Sequence, residues 1–329
     1  MLTVILTGLT QVQAATAIAG ESGLSGYFNL GVTSVSVKSN LIADYADDEI
    51  DNLKDGPGTE SSTGLRPGLA LTYTFDNLSS EVFLGNSLED FVRFDFSTVI
   101  GFRQQLADTG IFTVSLLTTV GATEIWEDPY ATDVKRDETD RSTSGIRLEW
   151  AAMLGSGFDL RISSRDNEID DEQSGAALLD ANFISANEQS SLDRNGDINS
   201  TSLIYNWNRG KGQLLSLTGT YLQHDLDGEA MSFDGYSLQF TDVRAFRADL
   251  RLATNILLGR YEHDSENPLY RKKNDKDLAA LTLTLFLSNP FGARNWVGNV
   301  TLAYAEEDNA IAFYDTTASM INIGMLRRF

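Results

Sequence analysis

From about Phe28 to Phe329 the chain is a succession of segments in which apolar side chains alternate with small or polar ones. Along Leu281, Leu283, Leu285 and Leu287 every second position is apolar, with Thr282 and Thr284 between. A period of two places the leucines on one face of a strand and the threonines on the other. The same alternation sets Phe94, Phe96, Thr98, Ile100 and Phe102 against Arg93, Asp95, Ser97 and Arg103, and sets Ile146, Leu148 and Trp150 against Arg147 and Glu149. Charges in mid-strand exclude a packed sandwich interior. A barrel with lipid outside and a polar lumen inside accepts both faces.

Such segments fall near 26–38, 67–75, 80–86, 92–106, 111–123, 144–154, 158–166, 200–208, 213–224, 231–242, 248–262, 278–288, 296–306 and 316–329. They predict an all-β fold, a transmembrane antiparallel up-and-down β-barrel of 14 strands. Their connections alternate in length. Those at 76–79, 107–110, 155–157, 209–212 and 289–292 are short and rich in turn formers, whereas 40–66, 87–91, 124–143, 167–199, 225–230, 263–277 and 307–315 are acidic and mostly longer. Short turns on the periplasmic side and long loops outside fix the orientation. The weakest join, Val243-Arg244-Ala245-Phe246-Arg247, has neither glycine nor proline, so 12 strands is the alternative.

Composition narrows the compartment. The chain has no cysteine, and its 25 basic against 47 acidic residues give a formal charge of −22, which argues against nucleic acid as a partner. Residues 1–17, with an apolar stretch from Leu2 to Leu9 and small residues around Ala15, resemble a signal peptide that lacks its basic start. This leaves 18–329 as a single outer-membrane barrel domain. Asn322, Gly324 and Phe329 match a C-terminal signal for the barrel-assembly machinery, and Arg327 departs from it, a position best met by snorkelling to the headgroups.

Trp126-Glu127-Asp128-Pro129-Tyr130 and Arg136-Asp137-Glu138-Thr139-Asp140 carry a resemblance to a known family, together with Gly31, Phe83-Leu84-Gly85, Asp227-Gly228-Glu229-Ala230-Met231-Ser232, Asn267-Pro268 and Phe313-Tyr314-Asp315. The chain resembles a domain-of-unknown-function family of outer-membrane β-barrel proteins from marine Gram-negative bacteria. The resemblance implies a barrel of this length in the outer membrane, and no activity or substrate.

The leading functional expectation is a porin-like channel for passive diffusion of small hydrophilic solutes or ions. Strand parity places Arg93, Asp95, Arg103, Arg147, Glu149, Asp159, Arg161, Arg165 and Arg251 on its lumen. The alternative is a plugged structural or surface barrel in which the same charges pair; on either reading outer-membrane lipid and lipopolysaccharide are expected partners. Its acidic loops would then hold calcium or magnesium, for which Asp193, Asn195, Asp197 and Asn199 form a candidate oxygen ladder. A remote alternative is an outer-rim hydrolase, because His224 precedes Asp225 and His263 precedes Asp264. Sequence neighbours point to opposite sides of a strand, however, and no serine motif accompanies either histidine. No enzyme activity and no catalytic residue are therefore expected.

The loop with Trp126, Glu127, Asp128, Pro129, Tyr130, Arg136, Asp137 and Asp140 is the candidate mouth. One reading puts Trp126 and Tyr130 in the interfacial aromatic belt. The other folds the turn inward to narrow a pore, in which case Asp128→Asn and Asp137→Asn change ion selectivity.

Overall fold

A computed structural model describes residues 18, 20–54, 56–90, 95–119, 121–210 and 212–329, with the backbone alone at 87–90, 95 and 96. The signal-peptide assignment and Arg93 lie outside the described residues, as does the Asp95 side chain. The strands are β1 (Gly23–Lys38), β2 (Thr59–Thr74), β3 (Ser80–Asp90), β4 (Asp95–Leu106), β5 (Gly110–Thr119), β6 (Thr123–Trp126), β7 (Glu138–Ala151), β8 (Phe158–Ile169), β9 (Gly196–Gly210), β10 (Gln213–Leu226), β11 (Phe233–Ala245), β12 (Leu250–His263), β13 (Lys276–Ser288), β14 (Trp296–Asn309) and β15 (Thr316–Arg328). β5 and β6 lie end to end against β7 and form one stave, so the wall has 14 staves.

Every pairing is antiparallel and β1 pairs with β15, which closes the sheet into a barrel. Closure is completed where Gly26 and Phe329 exchange backbone hydrogen bonds of 3.0 and 3.1 Å. Hydrocarbon offers the backbone no water, so a sheet without edges is the β arrangement that crosses it. The doubtful join resolves into a tight turn, in which the amides of Phe246 and Arg247 both donate to Leu250 O. β11 and β12 are therefore separate strands, and the 12-strand alternative falls.

The strands overrun their apolar segments at the loop end. β2 begins at Thr59 because Thr59 to Gly64 pair with Lys38 to Thr33 of β1, above the apolar part of the wall. Lower down, alternation separates the faces. Leu30, Val32, Ile146, Leu148, Ile256, Leu258, Ile321 and Ile323 are exposed on the outside, while Asn29, Thr33, Thr301 and Asn322 are buried within. An aromatic girdle surrounds the turn end, including the Phe112–Trp150 stack at 5.3 Å and the Phe158–Tyr205 pair at 4.7 Å. Arg327 sets its guanidinium 5.8 Å from the Trp296 ring centre, which accounts for a cation near the chain's end.

Placing a cation on the lipid face at mid-bilayer costs about 2–4 kcal/mol. Ile256→Arg is expected to lower folding stability by about that amount in denaturant titrations in lipid vesicles, whereas Ile256→Leu should leave it nearly unchanged.

Candidate functional site

The inner wall is a lattice of small polar groups in its lower part. Asn322 Nδ2 donates to Thr33 Oγ1 at 2.6 Å, Asn299 Nδ2 to Asn29 Oδ1 at 3.3 Å, and Thr284 and Thr301 share a hydrogen bond of 3.0 Å. Gly31 makes room for this, since a Cβ there would lie 2.7 Å from Asn322 Nδ2. Arg103 pairs with Glu81, and Arg161 Nε with Glu149 Oε2 at 3.0 Å. Asp159 faces inward but accepts the Ala152 N–H and the Asn206 amide, both at 2.7 Å, so it anchors a turn. Arg147 and Arg165 are buried within the barrel, and Arg251 is exposed at its turn end.

At the other end the loops fold into a cap. Leu41, Ile50 and Leu53 meet Tyr130, Leu178, Ile184, Leu192, Ala230, Met231, Leu269, Tyr270, Ile311, Phe313 and Tyr314, drawn from six of the connections at this end. Of two short helices there, α1 (Ala176–Asp180) contributes Leu178, and Ile184 lies in the link to α2 (Ala186–Ser190). At the centre Tyr130 Oη bonds Tyr314 Oη, and Asn267 Nδ2 donates to Tyr314 Oη at 2.7 Å. Burial pushes the Tyr130 phenol up to about 12 and Tyr314 well above its ordinary range, so both stay protonated.

Arg136 ties the first long loop to the third. It is 1% exposed, its guanidinium lies 4.1 Å from the Trp126 ring centre, and it donates to the carbonyls of Asn40, Pro129 and Asp47. Burial holds its pKa down to about 10, against the opposing pull of Asp47, Asp48 and Asp128. Trp126 and Tyr130 are each 1% exposed, so the belt reading is corrected. Their apolar surface is covered by the cap and not by lipid. Asp128 accepts the amides of Gly175 at 2.9 Å and Ala177 at 2.8 Å, and so caps a helix on the neighbouring loop. Glu127, Asp137 and Asp140 remain near the surface. Desolvation raises the Glu127 carboxyl, and Asp171 and Asp137 raise it further.

The oxygen ladder does not gather around a point. Asp193 Oδ1 accepts the Asn195 N–H at 2.9 Å and Asn195 Oδ1 the Ile169 N–H at 2.8 Å, while Asp197 lies exposed on β9 with Asn199 two residues on. Among the described residues no group of three or more His, Cys, Asp or Glu is placed to hold a metal.

Beneath the cap lies a cavity of about 170 Å³. Pro129 and Tyr130 form part of its roof, and its wall includes Arg141, Arg165, Arg194, Lys276, His224, His263, Phe233 and Glu307. His224, Phe233 and His263 are cross-strand neighbours on β10, β11 and β12. The Phe233 ring centre lies 4.2 Å from His224 and 5.1 Å from His263, with Lys276 Nζ 3.6 Å away. Lys276 also meets Glu307 at 3.4 Å, and Arg194 meets Glu172 at 2.7 Å.

Sequence reasoning missed one wall of this chamber. The first long loop turns into the barrel at Ile42 and Tyr45, which pack on Val35, Val37, Ala303, Ala318 and Met320, and Ile42 bridges to Ile125. The readable signal was the apolar run Leu41-Ile42-Ala43 inside an acidic loop.

The chain is thus an outer-membrane β-barrel with a folded cap over an internal cavity. It belongs to the DUF2860 family, described as proteins of unknown function, whose model matches residues 23–327. No curated protein matches it. Among solved structures it is similar to OmpT, expressed in the outer membrane of Vibrio cholerae (8% identity, TM-score 0.45, covering 95% of this chain and 100% of that one). It is also similar to the outer-membrane channel DcaP of Acinetobacter baumannii (9%, 0.45, 95% and 100%) and to a Pseudomonas aeruginosa FadL homologue (9%, 0.45, 93% and 90%). Likeness at this level says nothing of cargo.

Two outcomes follow for the cap. Hydrogen bonds from a charged group contribute about 1.5–3 kcal/mol each, so Arg136→Gln is expected to speed amide exchange and proteolysis at 39–58 and 127–137 by more than about tenfold. The barrel strands should stay protected. The second concerns acid. The Glu188 carboxyl is held down to about 2 by the Ser185 N–H, then by Arg271 at 2.6 Å and the Ser185 hydroxyl. Because its folded pKa lies below the unfolded value, the stabilisation is complete above the usual glutamate range and lost as pH falls through about 2. Amide protection across 186–190, measured against the intrinsic exchange rate at each pH, should therefore fall on acidification toward pH 2 in the native chain, with a smaller fall in Glu188→Gln.

Proposed function

We propose that this barrel is a gated, solute-selective channel, porin-like in its polar wall and closed at rest by its own loops. The observation that supports this most is the contrast along the axis. Small polar groups line the wall below, and a packed apolar cap sits above a cavity that is itself charged. A static plug would be served by an apolar filling throughout. Passage then requires the cap to part at the contacts between loops, where the Tyr130–Tyr314 pair bridges segments distant in sequence.

A second reading has a specific basis. Glu81–Arg103, Glu149–Arg161 and Lys276–Glu307 pair across neighbouring strands, as they would in a permanently filled structural barrel.

Single-channel recording in planar bilayers separates the two. Truncating an aromatic side chain in a packed core costs about 3–5 kcal/mol, a cost that falls on the closed state. Tyr130→Ala and Tyr314→Ala are expected to raise the open probability by about a hundredfold or more over the native barrel. If both variants fold, as shown by the migration of unheated barrel on denaturing gels, and still pass no current, the static scaffold is the correct reading.

A further inference from the structure

We infer that the cavity beneath the cap is a binding site for a small organic anion, a carboxylate carried on an apolar body about the size of one aromatic ring. The inference deepens the channel reading and rests on it for the use made of the site.

Charge is the first argument. Acids outnumber cations nearly two to one over the whole chain, 47 against 25. On the cavity lining the balance reverses, with Arg141, Arg165, Arg194 and Lys276 against the single carboxylate of Glu307. On the strands the reversal comes from parity, and Arg194 joins from the loop between β8 and β9. Arg165 faces inward and Asp166 outward, and the same holds for His224 and Asp225, His263 and Asp264, and Lys276 and Asp277. On each of these staves the acid stands outside the wall and the basic or ionisable nitrogen group inside. In a recess partly shielded from bulk water, cations favour an anion more than they would on the open surface.

Shape is the second. A cavity of about 150 Å³ lined by apolar side chains holds benzene, and this one measures about 170 Å³. Arg165, Ile198, His224, Phe233 and His263 are successive cross-strand partners from β8 to β12, so they form one continuous row across the inner wall. The guanidinium sits at one end of that row and an aromatic surface at the other. A guanidinium binds a carboxylate through a planar fork of donors, and apolar and aromatic walls take the body. An inorganic ion would use only the first half of this arrangement, and a neutral hydrocarbon only the second.

The test is equilibrium binding to the full chain in detergent micelles by calorimetry, with benzoate as probe and benzyl alcohol as its uncharged counterpart. Native barrel is expected to bind benzoate saturably and at least about tenfold more tightly than benzyl alcohol. Arg165→Gln should weaken benzoate by about tenfold and leave benzyl alcohol unchanged. Arg141→Gln gives the same comparison if the first variant does not fold. Tyr314→Ala, with its cap loosened, supplies entry if the native cap excludes the probe. Equal affinity for the two probes in both native and Tyr314→Ala barrels would overturn the site, as would benzoate binding unchanged in the arginine variants. A barrel that binds benzoate but never conducts would keep the site and lose the channel. One that conducts without discriminating the probes would keep the channel and lose the site.

Discussion

In hydrocarbon every amide of the wall must find its partner in a neighbouring strand, and the last open edge disappears only where β1 meets β15. This constraint sets the rest of the structure. Once the sheet is closed, each strand has one face in lipid and one in the lumen, so the period of two becomes a division between two solvents. Outward Leu258 and inward Asn255 on β12 need share no packing logic. It also explains why Gly26 and Phe329 matter beyond their side chains, since their paired amides complete the ring.

A ring open at both ends still has to manage its mouths. At the turn end this takes tight connections and a girdle of aromatic side chains. At the loop end the chain builds a second, water-soluble core, in which Arg136 is enclosed by carbonyls and Trp126 while Tyr130, Asn267 and Tyr314 link three loops. Gly228 belongs to the same device. A Cβ there would lie 2.5 Å from the Asp193 amide, so the fifth long loop passes close under the fourth only without one. The stretches that gave the chain its family resemblance, Trp126–Tyr130, Asp227–Ser232, Asn267-Pro268 and Phe313–Asp315, meet in or beside this cap.

The barrel was legible in the sequence because its rule is local. Alternation along Leu281 to Leu287 needs no knowledge of what lies opposite. The strand ends were less legible, because Thr59 to Gly64 carry no apolar signal and are strands only through pairing with β1. The cap was harder still. Proline beside two aromatic residues suggested an ordered turn at Pro129, but whether Trp126 met lipid or protein depended on loops remote in the chain. Ile42 and Tyr45 went unnoticed as inward elements for the same reason. Their partners Val35, Ala303 and Met320 are inward only once the barrel exists.

Parity also resolves the histidines. The expectation that Asp225 and Asp264 point away from His224 and His263 follows from alternation, and the imidazoles are buried while both aspartates are exposed. The same alternation means that a net charge of −22 does not describe the space inside. Asp166, Asp197 and Asp225 stand in register on the outer surface of β8, β9 and β10, one residue away from groups that line the cavity. The outer surface at the loop end is thus acidic, and the basic surface lies inside, beneath the cap. On the channel reading, an anion would be repelled by the first surface and attracted by the second, and a cation the reverse. The sign of charge inside this barrel is therefore set by which residues face inward, a property of register and closure and not of composition.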